Sequence, residues 1–338
     1  MTEALIVLTL VLAMTRLCRI LLCVTFIAVE GFSQSNNPKF EKEMSEARQA
    51  FDSNRYEEAL KHFKKAEKIQ SAPCRECLIG ELRSHMNMDD LKNALKEADR
   101  ALAASADRKQ KAEVQLYRGV IFSRLSKSAA NLTDAEAAFR AAVADNADCS
   151  ECKYDLGLLL LRENKDAEGV GVLHAVLPEY KGSLTEAAIR RFIADPSRAR
   201  KNFAPEFSLK TSSGQEITLD DLQGKVVLLD FWGTWCPPCV ESVPVLKELA
   251  AKNDPSKVMI ISVDEGDPSE KWAQFVQKNR MTWPQVYDED HSMMKAFSVH
   301  NFPHYFLLSK NGIILQAFSG WSHGELYTLK EAIESALK

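Results

Sequence analysis

The chain has 338 residues, of which 46% are hydrophobic and 27% charged, a composition typical of globular proteins and a length that accommodates two domains. The formal net charge is -4 and no basic run alternates with aromatic residues, so nucleic acid is not an expected partner. The eight cysteines are the unusual feature of the composition. Six of them form three Cys-x-x-Cys pairs, namely Cys74/Cys77, Cys149/Cys152 and Cys236/Cys239.

The first 33 residues predict either a secretory signal peptide or a membrane anchor. Arg16 and Arg19 precede an apolar run over residues 20–29, and residues 31–33 approximate a small-residue cleavage site. The run is short for a bilayer crossing of about 20 residues, but an uncleaved anchor stays open as an alternative. Both alternatives predict an extracytoplasmic protein, periplasmic or secreted, in a compartment where cysteine pairs form disulfides.

Residues 36–180 predict an all-helical region made of repeats, because apolar residues recur there at helical spacing. Small and aromatic residues also recur in a fixed order, and this order resembles the tetratricopeptide repeat. The residues of the pattern are Ala47, Ala59, Phe63, Ala66, Ala94, Ala101, Gly119, Ala135, Phe139, Ala142 and Gly157. Stacked helix pairs usually offer a surface to a protein partner, and a helical spacer without a ligand is an equal alternative.

Residues 181–202 read as a solvated linker, since the helical pattern weakens and basic residues accumulate. Residues 203–338 then predict an α/β domain. Short strand-prone apolar runs at 226–229, 258–261 and 305–308 are separated by helical stretches. Asn-Gly at 311–312 favours a hairpin that joins the last of these runs to residues 313–318.

The segment 230–239 reads DFWGTWCPPC and places a dithiol directly after a predicted buried strand, at the start of a predicted helix. The amide groups and partial positive charge of a helix N-terminus stabilise a thiolate, which lowers the pKa of the first cysteine. Cys236 is therefore the predicted nucleophile, and Cys239 the residue that resolves the mixed disulfide. A zinc site is the main alternative for a lone Cys-x-x-Cys, but no suitably spaced second ligand pair follows in this domain.

Residues 203–338 resemble the thioredoxin superfamily, and within it the TlpA/ResA-like thiol–disulfide oxidoreductases of the redoxin or AhpC/TSA type. The motifs that carry the resemblance are APEF at 204–207, GKVV at 224–227, FWGTWCPPC at 231–239, Pro244, and FP at 302–303 before YFLL at 305–308. It implies a thioredoxin fold and protein disulfide reductase chemistry that uses no cofactor and no metal. It also implies a cis peptide before Pro303 next to the dithiol, with Trp235 covering the site and Trp232 packed beneath it in the core.

Three positions depart from the ResA-like pattern. Asp230 stands where ResA-like proteins more often have Asn and classical thioredoxins have a buried acid, and a buried carboxyl there could accept the proton of Cys239. Ser242 occupies the position of a glutamate found in ResA-like proteins, and Glu241 is displaced by one residue, so that acid role is not expected. His304 follows the predicted cis-proline, where an imidazolium would favour the thiolate but a surface histidine is as plausible.

The other two cysteine pairs fall at the starts of predicted helices, where cysteines three apart come within disulfide range of about 4.4–6.8 Å between Cα atoms. Structural disulfides, a second redox pair and a four-cysteine metal site are all open for Cys74/Cys77 and Cys149/Cys152. A peroxidase is not expected, since Thr234 lies two rather than three residues before Cys236.

These features predict an exported thiol–disulfide oxidoreductase with a protein disulfide as substrate and an upstream electron-donor protein. The helical repeats are expected to recruit a protein partner. The alternative is an interaction protein, in which the repeats are the working surface and the thioredoxin-like domain mainly binds.

Overall fold

The computed structural model describes residues 37–125, 129–320 and 323–337. The predicted signal peptide or anchor, residues 1–33, lies outside these described residues. In the part of the chain that is described, the contacts define a helical unit that ends at Lys181 and a second unit that begins at Gly182. None of the helices in the described ranges is long and apolar enough to span a membrane.

The helical unit is a succession of helices in which each packs mainly on its neighbours in the chain. The helices are α1 (Pro38–Asp52), α2 (Tyr56–Ile69), α3 (Arg75–Asn87), α4 (Leu91–Ala103), α5 (Arg108–Leu125), α6 (Ala129–Asp145), α7 (Ser150–Arg162) and α8 (Asp166–Val176). A 3-10 turn at Leu177–Tyr180 follows. Side chains cap several of these helices, as where Asn37 accepts the amide hydrogen of Lys39 beside Pro38 at the start of α1.

Close contacts between a small residue and a large apolar one recur along this unit. A Cβ added to Gly80 of α3 would lie 2.5 Å from the ring of Phe63 of α2, and one on Gly119 of α5 would lie 2.4 Å from Phe139 of α6. The alanines of the sequence pattern are all buried in the apolar clusters of this unit. Small residues are therefore required where these helices approach one another most closely.

The segment predicted as a solvated linker differs from that expectation. It contains α9 (Leu184–Ala194), which Ser183 caps, and a 3-10 helix at Pro196–Arg200. Arg191 of α9 pairs with Glu206 at 2.6 Å and with Asp220 at 2.7 Å, so these residues are an integral part of the second unit. Its charges are used in ion pairs as well as in solvation, which charge content alone does not reveal.

The second unit has the α/β architecture expected for a thioredoxin fold. Its strands are β1 (Ser208–Lys210), β2 (Glu216–Thr218), β3 (Val226–Trp232), β4 (Val258–Asp264), β5 (Gln285–Tyr287), β6 (His304–Leu308) and β7 (Ile314–Ser319). Its helices after α9 are α10 (Pro237–Lys252), α11 (Ser269–Lys278), α12 (Ser292–Ala296) and α13 (His323–Leu337). The main sheet has the order β5-β4-β3-β6-β7, and β1 pairs with β2 separately.

The central strand β3 is buried along its whole length and separates two apolar clusters. It runs parallel to β4 and antiparallel to β6. Val226, Leu228 and Trp232 point into the cluster that also contains Cys236 and Cys239, whereas Val227, Leu229 and Phe231 point into the other. This period-two alternation determines which polar residues of the sheet share a face with the dithiol.

The predicted hairpin is confirmed, because β6 pairs antiparallel with β7. Gly312 in the turn between them has a φ of +82°, the left-handed conformation that favours glycine. Trp232, expected in the core, is 1% exposed.

Candidate redox site

The dithiol lies at the carboxyl end of β3, where the chain turns into α10. Cys236 is the N-cap of α10, and its sulfur accepts the amide hydrogen of Cys239 over 3.3 Å. Pro237 and Pro238 occupy the first two helical positions and have no N–H, so the Cys239 amide is the first donor that the helix offers. A thiolate on Cys236 would therefore receive that hydrogen bond together with the helix dipole.

In the structure the two sulfurs are bonded, with the Cα atoms 5.3 Å apart. Cys236 is 4% exposed and Cys239 is 1% exposed. The first cysteine is thus the more accessible of the two, which is the asymmetry that an attacking and a resolving thiol require.

Asp230 lies on the face of β3 that the dithiol covers. It is two residues from both Leu228 and Trp232, which belong to the apolar cluster of the dithiol, and residues two apart in a strand point to the same side. It is 1% exposed. Burial raises the pKa of Asp230 to about 7, although a hydrogen bond from the Ser262 hydroxyl acts in the opposite direction. A carboxyl with a pKa near neutrality can accept and return a proton at physiological pH.

The loop between β3 and α10 is tied to the residues that follow β4. The backbone N–H and the hydroxyl of Thr234 both donate to the carboxylate of Asp267, which is 4% exposed. Burial would raise the pKa of Asp267, but the hydrogen bonds from Thr234 and Lys271 outweigh it and lower the pKa. Burial and the neighbouring Asp267 raise the pKa of Asp264 to about 8.

Trp235 is the most exposed large apolar side chain beside the dithiol, with 50% of its surface accessible. Its indole N–H donates to the carbonyl of Glu265 over 2.7 Å, and its ring meets the edge of Phe302 with centroids 5.3 Å apart. The peptide bond between Phe302 and Pro303 is cis, as the family resemblance implied. The exposed Trp235 and the partly buried Phe302 therefore form an aromatic pair beside the apolar cluster that contains Cys236.

Ser242, Glu241 and His304, at or beside the positions that depart from the ResA-like pattern, lie in three different environments. Ser242 is buried and donates to the carbonyl of Cys239 over 2.7 Å, whereas Glu241 is exposed on α10. His304 lies on the opposite face of the sheet from the dithiol, where its ring stacks on Phe306 at 4.8 Å. Burial, and secondarily His300, lowers the pKa of His304. The alternation along β6 thus removes His304 from the thiolate.

Sequence reasoning did not identify Ser262, Trp283 and Asp267 as residues around the site. A signal was present, because the polar sequence SVDEGD at 262–267 includes and follows the end of β4. The carboxyl ends of adjacent parallel strands lie at one edge of a sheet, so polar residues after β4 are expected beside those after β3.

The remaining cysteine pairs repeat the local geometry of the dithiol. Cys74 caps α3 and its sulfur accepts the amide hydrogen of Cys77 over 3.2 Å. Cys149 caps α7 and accepts the amide hydrogen of Cys152 over the same distance, 3.2 Å. Both pairs are bonded in the structure, with Cα atoms 5.2 Å apart in the first and 5.3 Å apart in the second. They belong to different apolar clusters, so the four sulfurs do not meet in a single metal site.

The sequence left three roles for Cys77: half of a structural disulfide, a redox residue or a metal ligand. The structure does not support a metal-ligand role. Its sulfur is bonded to Cys74 and lies 3.7 Å from the sulfur of Met44 of α1. Cys77 is 0% exposed and Cys74 is 9% exposed. A bonded sulfur enclosed in an apolar cluster is shielded from an attacking thiolate, so these surroundings favour a structural disulfide over a second redox pair.

Comparison with known proteins places the second unit among thiol–disulfide oxidoreductases. Residues 201–317 match the AhpC/TSA family. Thiol-disulfide oxidoreductase ResA of Geobacillus kaustophilus is 37% identical over 117 residues, 35% of this chain and 67% of that protein. ResA of Bacillus anthracis is 33% identical over 164 residues, which cover 48% of this chain and 91% of that protein. The crystal structure of StoA from Bacillus subtilis is 27% identical, with a TM-score of 0.34, and covers 38% of this chain and 96% of that one.

Proposed function

Because this chain belongs to the ResA-like thiol–disulfide oxidoreductases of the thioredoxin superfamily, we propose that it reduces disulfide bonds in protein substrates with Cys236 and Cys239. The observation that carries the proposal is the dithiol at the N-terminus of α10, on the sheet face that also holds the buried carboxyl of Asp230. This arrangement supplies an activated thiolate, a resolving thiol and a proton acceptor.

The reaction consists of two exchanges. The Cys236 thiolate attacks one sulfur of the substrate disulfide, forms a mixed disulfide and releases the other substrate sulfur as a thiolate. The thiol of Cys239 then gives its proton to the carboxylate of Asp230 and attacks the Cys236 sulfur. The second substrate thiolate leaves, the Cys236–Cys239 disulfide forms, and two electrons have passed to the substrate. A protein dithiol acting as electron donor restores the reduced state by the reverse exchanges.

The substrate chain is proposed to lie on the aromatic pair formed by Trp235 and Phe302. The hydrogen bond of the Trp235 indole N–H restrains the exposed ring. The ring therefore offers a rigid apolar contact that loses little conformational entropy when substrate binds. Pro303, directly after Phe302, shapes the adjoining groove. The proposed roles of Trp235 and Pro303 are thus to orient the substrate and to limit access to the thiols.

We further propose that the protein acts outside the cytoplasm and that its helical unit recruits a protein partner. Export is supported by the basic and apolar pattern of residues 16–29 and by the three cysteine pairs. Recruitment is supported by the stacked helices of residues 38–176, an architecture that exposes long surfaces.

Insulin reduction by the full chain, driven by a small dithiol, tests the enzymatic function. Cys236→Ser is expected to lose all activity, and Cys239→Ser is expected to accumulate a mixed disulfide that mass spectrometry detects. No activity in the intact protein would instead favour the interaction protein. A measured reduction potential of about -120 mV would indicate an oxidant and overturn the proposed direction.

A further inference from the structure

Asp230 has hydrogen-bonding surroundings that the family resemblance does not account for. It pairs in register with Ser262 of β4 on one side and with Tyr305 of β6 on the other. The Ser262 hydroxyl lies 2.7 Å from Asp230 Oδ2. Asp230 Oδ1 has no hydrogen-bond partner within the described part of the chain. One carboxyl oxygen is thus held and the other is available.

Ser262 is in turn held by Trp283, whose indole Nε1 lies 2.8 Å from the Ser262 oxygen. An indole N–H can only donate, so the serine oxygen must accept from Trp283. The single hydroxyl hydrogen of Ser262 is then directed to Asp230. The backbone N–H of Ser262 also donates to the carbonyl of Pro284 over 3.0 Å, which holds the segment containing Trp283 against β4.

We propose that Ser262 and Trp283 are positioning residues for Asp230: the Trp283 N–H orients the Ser262 hydroxyl, and that hydroxyl holds Oδ2 of Asp230 so that Oδ1 serves the buried thiol. The inference rests on the proposed function, in which Asp230 accepts the proton of Cys239. Neither residue touches the reacting sulfurs in this role. Both act through the carboxyl.

The hydrogen bond from Ser262 favours the charged form of Asp230 and therefore moderates the effect of burial on its pKa. His304 of β6 faces the other side of the sheet, and the charged residues of α10, namely Glu241, Lys247, Glu248 and Lys252, are not buried. The titratable side chains on the same face as Asp230 are Asp264 of β4, Tyr305 of β6 and the two cysteines at the start of α10. Of these, the cysteines do not titrate while the disulfide is formed. The oxidised protein thus isolates the effect of Ser262 from the coupled titration of the thiols.

The test is the titration of the Asp230 carboxyl in the oxidised full chain, followed by carbon-13 NMR of labelled aspartate. The resonance is assigned by its loss in Asp230→Asn. In Ser262→Ala the midpoint is expected to rise by about one pH unit, the order of a hydrogen bond to a charged group. Ser262→Thr retains the hydroxyl and is expected to restore the original midpoint.

Two tryptophan variants form a matched pair. Trp283→Phe removes the N–H that orients Ser262 and is expected to raise the midpoint by less than Ser262→Ala does. Trp272 lies in the same apolar cluster, and its indole nitrogen has no hydrogen-bond partner among the residues described. Trp272→Phe is therefore expected to leave the midpoint unchanged, even if it lowers the stability of the protein as much as Trp283→Phe does.

An unchanged midpoint in Ser262→Ala, failure of Ser262→Thr to restore it, or an equal shift in Trp272→Phe would overturn the proposal. In the reduced enzyme, the acid limb of the pH–rate profile of Ser262→Ala is expected to move upward with the midpoint. Wild-type activity of Asp230→Asn at every pH would overturn the catalytic role of Asp230 instead. The NMR readout is independent of activity, so the two failures are distinguishable.

Discussion

At the scale of single residues, Asp230 combines a functional position with a cost in stability. Its carboxyl is buried in an apolar cluster and has a pKa of about 7, against about 3.9 for aspartate in an unfolded chain. Between these pH values the folded protein holds a proton that the unfolded chain has released. The free energy of unfolding therefore falls as the pH rises through this range.

Asp230→Asn is expected to be more stable than the wild type at pH 8, with a difference that shrinks towards pH 4. The reason is that asparagine cannot ionise and so avoids the cost of burying a charge. All the tryptophans follow residue 181, at positions 232, 235, 272, 283 and 321, so their fluorescence during urea unfolding reports on the second unit. Glu289→Gln, at an exposed position, is the control, and an equal pH dependence in both variants would contradict the prediction.

At the scale of elements, the helical unit depends on small residues at close helix contacts. Gly80→Ala is expected to destabilise this unit by about 1–3 kcal/mol, because the added methyl overlaps the Phe63 ring at 2.5 Å. Gly171 lies within α8 and a Cβ there meets nothing within 4 Å. Gly171→Ala is thus expected to stabilise the unit by about 0.5–1 kcal/mol through helix propensity. Urea unfolding followed by far-ultraviolet circular dichroism measures the stability of both variants. Destabilisation of similar size in Gly80→Ala and Gly171→Ala would refute the claim that close helix contacts require small residues.

The cysteine pairs of the helical unit belong to the same scale, because each joins the cap of a helix to its first turn. We expect Cys149→Ala/Cys152→Ala to lower the stability of this unit by about 2 kcal/mol, the entropy of a short closed loop. The cap interaction of Cys149 is lost as well. Mass mapping of the unreduced protein checks the bond, and Cys236→Ala/Cys239→Ala is the control expected to leave the helical unit unaffected. Free thiols at Cys149 and Cys152, or bound zinc, would contradict the structural assignment.

At the scale of the whole molecule, the two units have separate apolar clusters. Substitutions in cores that share no residues are expected to act additively on stability. Both units contain helices, so circular dichroism reports on both, whereas tryptophan fluorescence reports on the second unit alone. We therefore expect Gly80→Ala to move part of the circular dichroism change without moving the tryptophan transition. Movement of the tryptophan transition in Gly80→Ala would show that the units unfold as one.

The amino-acid sequence was enough to predict a dithiol-exchange site and its position along the chain. The order of an apolar strand, two aromatics, a Cys-Pro-Pro-Cys and a helix is a local pattern, and local patterns follow from propensity, capping and alternation. It predicted the α/β fold of residues 203–338 and the burial of Asp230 and Trp232, which are 1% exposed in the structure. The helical spacing of apolar residues likewise predicted the helical region before residue 181.

Contacts between side chains that are far apart in sequence could not be predicted in this way, because they depend on the tertiary structure. Ser262 lies 32 residues after Asp230 and becomes its partner through the parallel register of β3 and β4. Trp283 reaches Ser262 from a further segment, and Asp267 holds Thr234 across 33 residues of chain. His304 directly follows Pro303 in sequence but lies on the face of the sheet opposite the dithiol, because side chains alternate along β6. Register and face are properties of paired strands, so no single segment of the chain contains them.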